Sequence, residues 1–142
     1  MALSKDTPRQ YDPAYEPGFI DIQVKSATTV YEGGALSDDS GNGEADALAA
    51  SENFLGFCEK GVTNPTSGTY KVRIRTRGVA KNLPVTGLDA NTDFGTAVYA
   101  VDDGTFTLTS STAHVQIGKV DSFNGVSGYG DVYFEGLHRR SI

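Results

Sequence analysis

The chain has 142 residues with one cysteine, and its 18 acidic and 12 basic residues give a net charge of −6. This length predicts one domain with a single core, and the lone cysteine excludes an intrachain disulfide. The acidic balance argues against generic nucleic-acid binding, because phosphate contacts need a cationic surface. Its 17 glycines, together with frequent Val, Thr, Tyr and Phe, favour short strands joined by tight turns.

No run approaches the roughly 20 apolar residues that cross a bilayer, so no membrane partner is predicted. Residues 1–6 lack the basic and apolar regions of a signal peptide. We therefore expect the chain to stay in the cytoplasm in which it is made, or in a particle assembled there.

Residues 1–18 carry three prolines and no helix or strand periodicity, which predicts an extended N-terminal arm. Tyr11 and Tyr15 are aromatic rings in an otherwise polar segment, and such rings can bind in a partner's groove. The alternative is a disordered tail. In either case the prolines are expected to prevent regular strand pairing, so the arm should add little to the core. Residues 19–142 are predicted to form a single β domain.

Two short strands are predicted at the start of this domain, at residues 19–24 and 28–31, and the second is stopped by Gly33. An apolar strand follows at residues 53–58. Its last residue, Cys58, is expected to be a small buried hydrophobe. The alanine-rich residues 45–51 fit either a short helical turn or a strand of small side chains.

An acidic loop lies between these strands. Asp38, Ser40, Asn42 and Gly43 imitate the opening of a calcium loop, in which spaced oxygen ligands precede a turn glycine. The closing position of such a loop needs a bidentate glutamate, and Ala49 stands there instead. We therefore interpret the segment as a solvated acidic loop without a metal.

Charges are segregated along the chain. Residues 32–52 contain six acids and no Lys or Arg, whereas residues 71–81 contain five bases and no acid. Such segregation can pair two parts of one chain or two neighbouring subunits.

A cationic strand is predicted at residues 71–78, where charged and uncharged side chains alternate until Gly78 closes the run. This period places four cations on one face of the strand and Tyr70, Val72, Ile74 and Thr76 on the inward face. The four cations, which we predict to bind an anionic protein surface, are Lys71, Arg73, Arg75 and Arg77.

The rest of the chain is also β-like. Residues 96–101 and 105–109 predict a hairpin whose turn is Asp102-Asp103-Gly104. Further strands are predicted at residues 114–120 and 131–135, and Pro84 indicates a strand end or edge. The predicted fold class is all-β, with a compact β-barrel or sandwich-like domain.

The two halves of the chain resemble each other loosely. Residues 29–31, 54–56 and 70–74 are echoed by residues 97–99, 115–118 and 130–134. In this comparison Lys71 and Arg75 correspond to Asp131 and Glu135. If those strands are neighbours, opposite charges face each other across the sheet.

Catalysis is not predicted. The general bases are limited to His114 and His138, and the motifs of nucleophilic, phosphate-binding and zinc sites are lacking. Asp102 and Asp103 are explained by their place in a turn. We expect no enzyme activity and no cofactor.

This order of strands and turns resembles the small capsid cement, or head decoration, proteins of tailed bacteriophages. The resemblance covers residues 30–137. It is carried by Leu55-Gly56 before the cationic strand, Gly95-Thr96-Ala97-Val98-Tyr99 before the Asp102-Asp103-Gly104 turn, Ile117-Gly118, and a final strand at residues 132–137.

The resemblance implies a compact β-barrel-like protein, commonly a homotrimer, that binds the outside of an assembled capsid and bridges neighbouring major capsid subunits. One alternative is a nucleic-acid-binding barrel that uses the cationic strand, although no exposed aromatic alternates with its cations to form a stacking platform. Another is a sugar- or host-binding module of a virion fibre. The acidic loop and the arm have no counterpart in the resemblance.

Overall fold

The computed structural model describes residues 2–39, 43–66 and 68–136, and this part of the chain is all-β, as predicted. It contains no α-helix within those ranges. The strands are β1 (Gln10–Tyr11), β2 (Gly18–Gln23), β3 (Thr28–Val30), β4 (Ala35–Asp38), β5 (Ala45–Ala47), β6 (Asn53–Cys58), β7 (Val62–Asn64), β8 (Lys71–Pro84), β9 (Ala97–Ala100), β10 (Phe106–Thr107), β11 (Val115–Phe123) and β12 (Tyr129–Glu135).

The cationic segment is the first half of the longest described strand. β8 runs for 14 residues, so the prediction that Gly78 ends it is wrong. Gly78 has a φ of 148°, which lets the strand bend at that point and continue. Pro84 ends the strand, where its missing N–H costs no ladder hydrogen bond.

β8 has neighbours on both edges. Ile74 pairs with Ile20 of β2 and also with Cys58 of β6, and these two partners must lie on opposite edges. Ala80 likewise pairs with both β1 and β12. The N-terminal segment therefore runs along one edge of β8, while β6 and β12 share the other.

The sheet curls so that both of its ends return to β8. On one side β6, β4 and β5 lead to Ala45, which lies beside Val24, and the Val24 N–H donates to the Tyr70 carbonyl at 2.7 Å. On the other side β12, β11, β9 and β10 lead to Thr107, which lies beside Thr86, two residues after β8 ends. The domain thus consists of two curled halves that share β8.

Two apolar clusters fill these halves. The larger one is centred on Phe134, whose ring lies 4.8 Å from that of Phe57 and 6.4 Å from that of Phe54. The smaller one is covered by the separate β3–β7 pair and contains Val72 and Ile74 of β8. The inward positions of the cationic strand are therefore confirmed except at Tyr70, whose side chain is 40% exposed.

The strand pairing confirms the predicted hairpin and decides between the two interpretations of the alanine-rich segment. The predicted hairpin is formed by β9 and β10 around the Asp102-Asp103-Gly104 turn. Residues 45–47 of the alanine-rich segment are a strand, β5, which pairs with β4.

The echo between the halves corresponds to two similar sets of paired strands. β4, β6 and β8 are consecutive neighbours, and so are β9, β11 and β12. The first set includes β4 rather than β3, because β3 pairs with β7. Opposite charges do face each other, but the cations differ from the expected Lys71 and Arg75. Asp131 forms a salt bridge with Lys81 at 2.9 Å, and Glu135 stands opposite Arg77.

Candidate protein-binding face

Three of the four predicted cations, Lys71, Arg73 and Arg75, share one face of β8, which we call the cationic face. Its neighbour on one side is β2, which runs antiparallel to it. The β2 residues opposite these cations are, in the same order, Gln23, Asp21 and Phe19.

Arg77 does not belong to the cationic face, so the prediction that it shares a face with the other three cations is wrong. Gly18 stands opposite Arg77 and Phe19 opposite Arg75, which leaves Thr76 as an extra residue in a β-bulge. A Cβ atom on Gly18 would lie 2.6 Å from Thr76 Oγ1 and 3.6 Å from Arg77 Cγ, so both side chains project to the same side. The bulge shifts the alternation by one residue and turns Arg77 to the opposite face.

Aromatic rings hold the two arginines of the cationic face. Arg73 Cζ lies 4.5 Å from the centre of the Phe19 ring, and Arg75 Cζ lies 5.0 Å from the same ring. Arg75 Cζ also lies 4.1 Å from the Tyr11 ring centre. Each such cation–π contact contributes about 0.5–2 kcal/mol, depending on how far water is excluded. The guanidinium groups are therefore held in place before any partner binds.

Arg75 is also paired with a carboxylate. Its Nε and Nη2 atoms lie 3.4 Å from the two carboxylate oxygens of Glu59, in a two-point arrangement. Arg75 is half-buried, whereas Lys71 and Arg73 are exposed. The accessible positive charge of the face consequently comes from Lys71 and Arg73.

Tyr11, which the sequence offered as an anchor for a partner, packs within its own chain. It pairs with Ala80 of β8, and its ring lies 5.9 Å from that of Phe134. Burial is the largest cause that raises the pKa of its phenol above the ordinary value. The prediction that the prolines prevent regular pairing is therefore wrong at Gln10 and Tyr11.

The rest of the N-terminal segment lies against the body as well. Three contacts illustrate this: the Leu3 N–H donates to Asp103 Oδ1 at 2.9 Å, the Thr7 N–H to the Glu32 carbonyl at 2.8 Å, and Arg9 Nε to the Gly33 carbonyl at 3.0 Å. These contacts make the segment part of the folded domain.

Tyr15 is the more exposed of the two predicted tyrosines, at 42%. Its ring lies 6.4 Å from that of Tyr133 on the outer side of β12. The two rings line a cleft of about 210 Å³ together with Glu16, Arg77 and Gly78. Arg77 and Tyr15, which the sequence did not connect, are thus brought together on this second surface.

Phe94 is a surface residue that sequence reasoning missed. Its side chain is 79% exposed, and it borders a cleft of about 630 Å³ that also contains Lys119, Asp121 and Tyr133. The loop that carries it is held by the Gly95 N–H, which donates to the Val120 carbonyl at 2.8 Å. The signal in the sequence was a single phenylalanine within residues 89–95, whose other residues are polar or small.

The acidic loop is partly neutralised within the chain. Asp39, Asp46 and Glu52 have carboxylate oxygens within 4.8 Å of one another, but Lys25 Nζ lies 3.4 Å from Asp39 and 3.7 Å from Asp46. Of the positions compared with a calcium loop, Ser40 and Asn42 lie outside the described residues. Asp38 accepts a hydrogen bond from the Gly43 N–H at 2.8 Å.

The reactive residues considered from the sequence occupy unremarkable places. Cys58 is buried, as predicted, and its burial raises the pKa of the thiol to about 12. His114 is half-buried, and its Nδ1 lies 2.8 Å from the Thr109 carbonyl oxygen. His138 lies outside the described residues.

Within the described part of the chain, no helix has the length and apolar character needed to cross a membrane. No protein-family model fits the chain, and no curated protein matches its sequence.

Proposed function

We propose that the protein is a structural virion component that binds the exterior of an assembled phage capsid and stabilises it by bridging major capsid subunits. The proposed location is therefore the outer capsid surface, after synthesis in the host cytoplasm. The proposal starts from the resemblance to capsid cement proteins. It is supported by the glycines of Leu55-Gly56 and Ile117-Gly118, which lie at matching places in the two halves of the sheet, each against the backbone of the next strand.

The observation that carries the proposal is the cationic face with its fixed arginines. Arginine and aromatic residues are enriched where proteins bind one another, and side chains that are already ordered lose less entropy on binding. Arg73 stacks on Phe19 and remains exposed beside Lys71, so the face presents charge in a fixed geometry. An anionic protein surface is the complementary partner.

The mechanism we propose is thermodynamic linkage. A shell under internal pressure opens where its subunits separate, and a protein that binds only the closed arrangement stabilises that arrangement. We propose that the protein acts as a homotrimer, because three linked contacts of modest strength give a persistent attachment.

Binding to purified capsids that lack this protein tests the proposal. Capsids are mixed with wild-type protein, with Arg73→Glu, or with the control Lys5→Glu, and pelleted through a cushion. We expect Arg73→Glu to bind at least tenfold more weakly and Lys5→Glu to bind like the wild type. No pelleting of the wild type, or equal pelleting of all three proteins, would contradict the proposal.

A nucleic-acid-binding role is the alternative that one observation favours. The structure brings Phe19 beside the cations, which the sequence of β8 by itself did not show. However, a guanidinium already covers this ring, and Asp21 and Glu59 lie next to the two arginines. Negligible retention on single-stranded DNA at physiological salt is therefore expected, whereas firm retention with a steep salt dependence would favour the alternative.

A further inference from the structure

β2 is an open edge of the sheet. It pairs with β8 on one side, and in the described part of the chain no strand pairs with residues 19–22 on the other side; β5 reaches this edge only at its end, where Val24 bridges to Ala45 and the Lys25 N–H donates to the Ala45 carbonyl at 3.0 Å. An unpaired strand edge is a template for another strand, because it presents a row of free N–H and C=O groups.

The hydrogen bonds identify which groups point outward. The Val24 N–H donates to the Tyr70 carbonyl, so this pair is hydrogen-bonded across the ladder. Bonded and non-bonded pairs alternate in antiparallel strands, so Ile22 and Ile20 bond to β8 as well. Phe19, Asp21 and Gln23 therefore direct their N–H and C=O groups away from β8.

The opposite edge of β8 supports this assignment. The Glu59 N–H donates to the Arg73 carbonyl at 2.9 Å, which shows that Arg73 bonds toward β6 and not toward β2. Arg73 stands opposite Asp21 in the register, so the backbone of Asp21 receives no bond from β8.

β2 has little of the usual protection of an edge. It contains no proline and no lysine; a β-bulge lies at its start, beside Gly18, and its charged residue, Asp21, stands opposite Arg73. Ile20 and Ile22 on the other face are half-buried against the smaller core cluster, so their outer sides remain accessible.

We infer that the β2 edge binds an extended strand of a partner polypeptide by adding it to the sheet. The partner strand would place apolar side chains beside Ile20 and Ile22 and a neutral or basic side chain beside Asp21. Backbone hydrogen bonds would supply the affinity, and the alternating side chains the selectivity. The edge would accept such a strand whether or not the protein also binds a capsid.

Charge favours a different polypeptide over a second copy of this chain. Two β2 strands paired antiparallel along residues 19–23 would put Asp21 directly opposite Asp21 of the other copy. Like charges in directly opposite positions destabilise a strand pair. A basic residue of a partner strand directly opposite Asp21 would instead stabilise the strand pair.

Amide hydrogen exchange of the isolated protein gives the first test. The amides of Phe19 and Asp21 should exchange at least tenfold faster than those of Ile20 and Ile22. Equal protection of the two sets in dilute solution would overturn the assignment of the open edge.

The second test uses the peptide acetyl-Thr-Val-Lys-Val-Thr-amide, whose lysine would stand opposite Asp21. We expect it to protect the amides of Phe19 and Asp21, and we expect Asp21→Pro, which lacks the outward N–H, to weaken binding at least tenfold. Asp21→Ala keeps that N–H and is the matched control, with less than a threefold loss.

A peptide methylated on the lysine amide nitrogen gives a check that does not depend on a protein variant. It should bind at least tenfold more weakly, whereas methylation of a valine amide, which faces away from β2, should matter less. No protection by the unmodified peptide at millimolar concentration would overturn the inference. So would a dimer of the isolated protein that Asp21→Pro abolishes, because the edge would then bind a second copy.

Discussion

At the scale of single residues, two glycines allow the strands to approach closely. A Cβ atom on Gly118 would lie 1.8 Å from the Tyr133 carbonyl oxygen, and one on Gly56 would lie 2.2 Å from that of Arg75. Both obstacles are backbone atoms of a paired strand, so they cannot rotate away. Each half of the sheet thus needs a glycine at the point where two strands approach closely.

Gly118→Ala should therefore destabilise the protein by about 1–3 kcal/mol, because the sheet must open locally to accept the methyl group. Urea unfolding followed by fluorescence measures the loss. Gly125→Ala is the control, since Gly125 has open space around it and only its φ of 97° opposes a side chain. A larger loss for Gly125→Ala than for Gly118→Ala would contradict the steric explanation.

Cys58 should be unreactive in the folded protein. Its thiol is buried and its pKa is raised to about 12, so almost no thiolate exists near neutral pH. A thiol reagent should label it at the rate of unfolding, and denaturant should speed the labelling. Rapid labelling under native conditions would show that the site opens locally.

Asp131 should make the protein sensitive to acid. Burial by itself would raise its pKa, but hydrogen bonds from Lys81, the Asn82 N–H and Ser122 outweigh it, so the pKa lies below its ordinary value of 3.8. A depressed pKa gives stability that is present above pH 3.8 and lost as the pH falls through the folded value.

The corresponding experiment compares the free energy of unfolding at pH 7 and pH 3. Asp131→Asn should be less stable than the wild type at pH 7, and the difference should shrink at pH 3. If wild type and Asp131→Asn differed in the free energy of unfolding by the same amount at both pH values, the carboxylate charge of Asp131 would not contribute to stability.

At the scale of structural elements, the N-terminal segment has a different role in the structure from the one that the sequence predicted. Tyr11 packs on Phe134, and β1 pairs with β8, so the segment contributes to the core and to the sheet. The expectation that it adds little to the core does not fit these contacts.

Deletion of residues 2–16 should accordingly lower the melting temperature, whereas a detachable arm would leave it unchanged. Tyr11→Ala should cause part of this loss, about 2 kcal/mol or more, since a large ring is removed from packed surroundings. Tyr15→Ala should have little effect, because its side chain is 42% exposed. Differential scanning calorimetry of the three variants measures each loss.

The sequence predicted most strands because alternation with period two is a local property. The core positions Val72 and Ile74 follow directly from it. The position of Arg77 could not be predicted, since a bulge depends on how the partner strand is aligned. The pairing of Tyr11 was missed for the same reason: β8 supplies the partner, some 70 residues away in the chain.

At the scale of the whole molecule, the uneven charge predicts self-association. The net charge is −6, yet Lys71 and Arg73 project from one exposed face. A neighbouring copy can offer its acidic surface to that face.

Sedimentation equilibrium should therefore detect self-association at micromolar concentration, with three copies for the proposed homotrimer, and it should be weakened by high salt and by Arg73→Glu. Lys5→Glu is the matched control and should leave the mass unchanged. A monomer at low and moderate salt alike would rule out this arrangement.

The sharing of β8 by two curled halves has a consequence for synthesis on the ribosome. Residues 77–84 of β8 pair with β12, which is made about 50 residues later. At roughly 5–20 residues per second, translation takes several seconds to cover that distance. During this interval this half of β8 has β1 on one edge but lacks β12 on the other, so folding must wait for β12 and the emerging chain is open to chaperones or to aggregation.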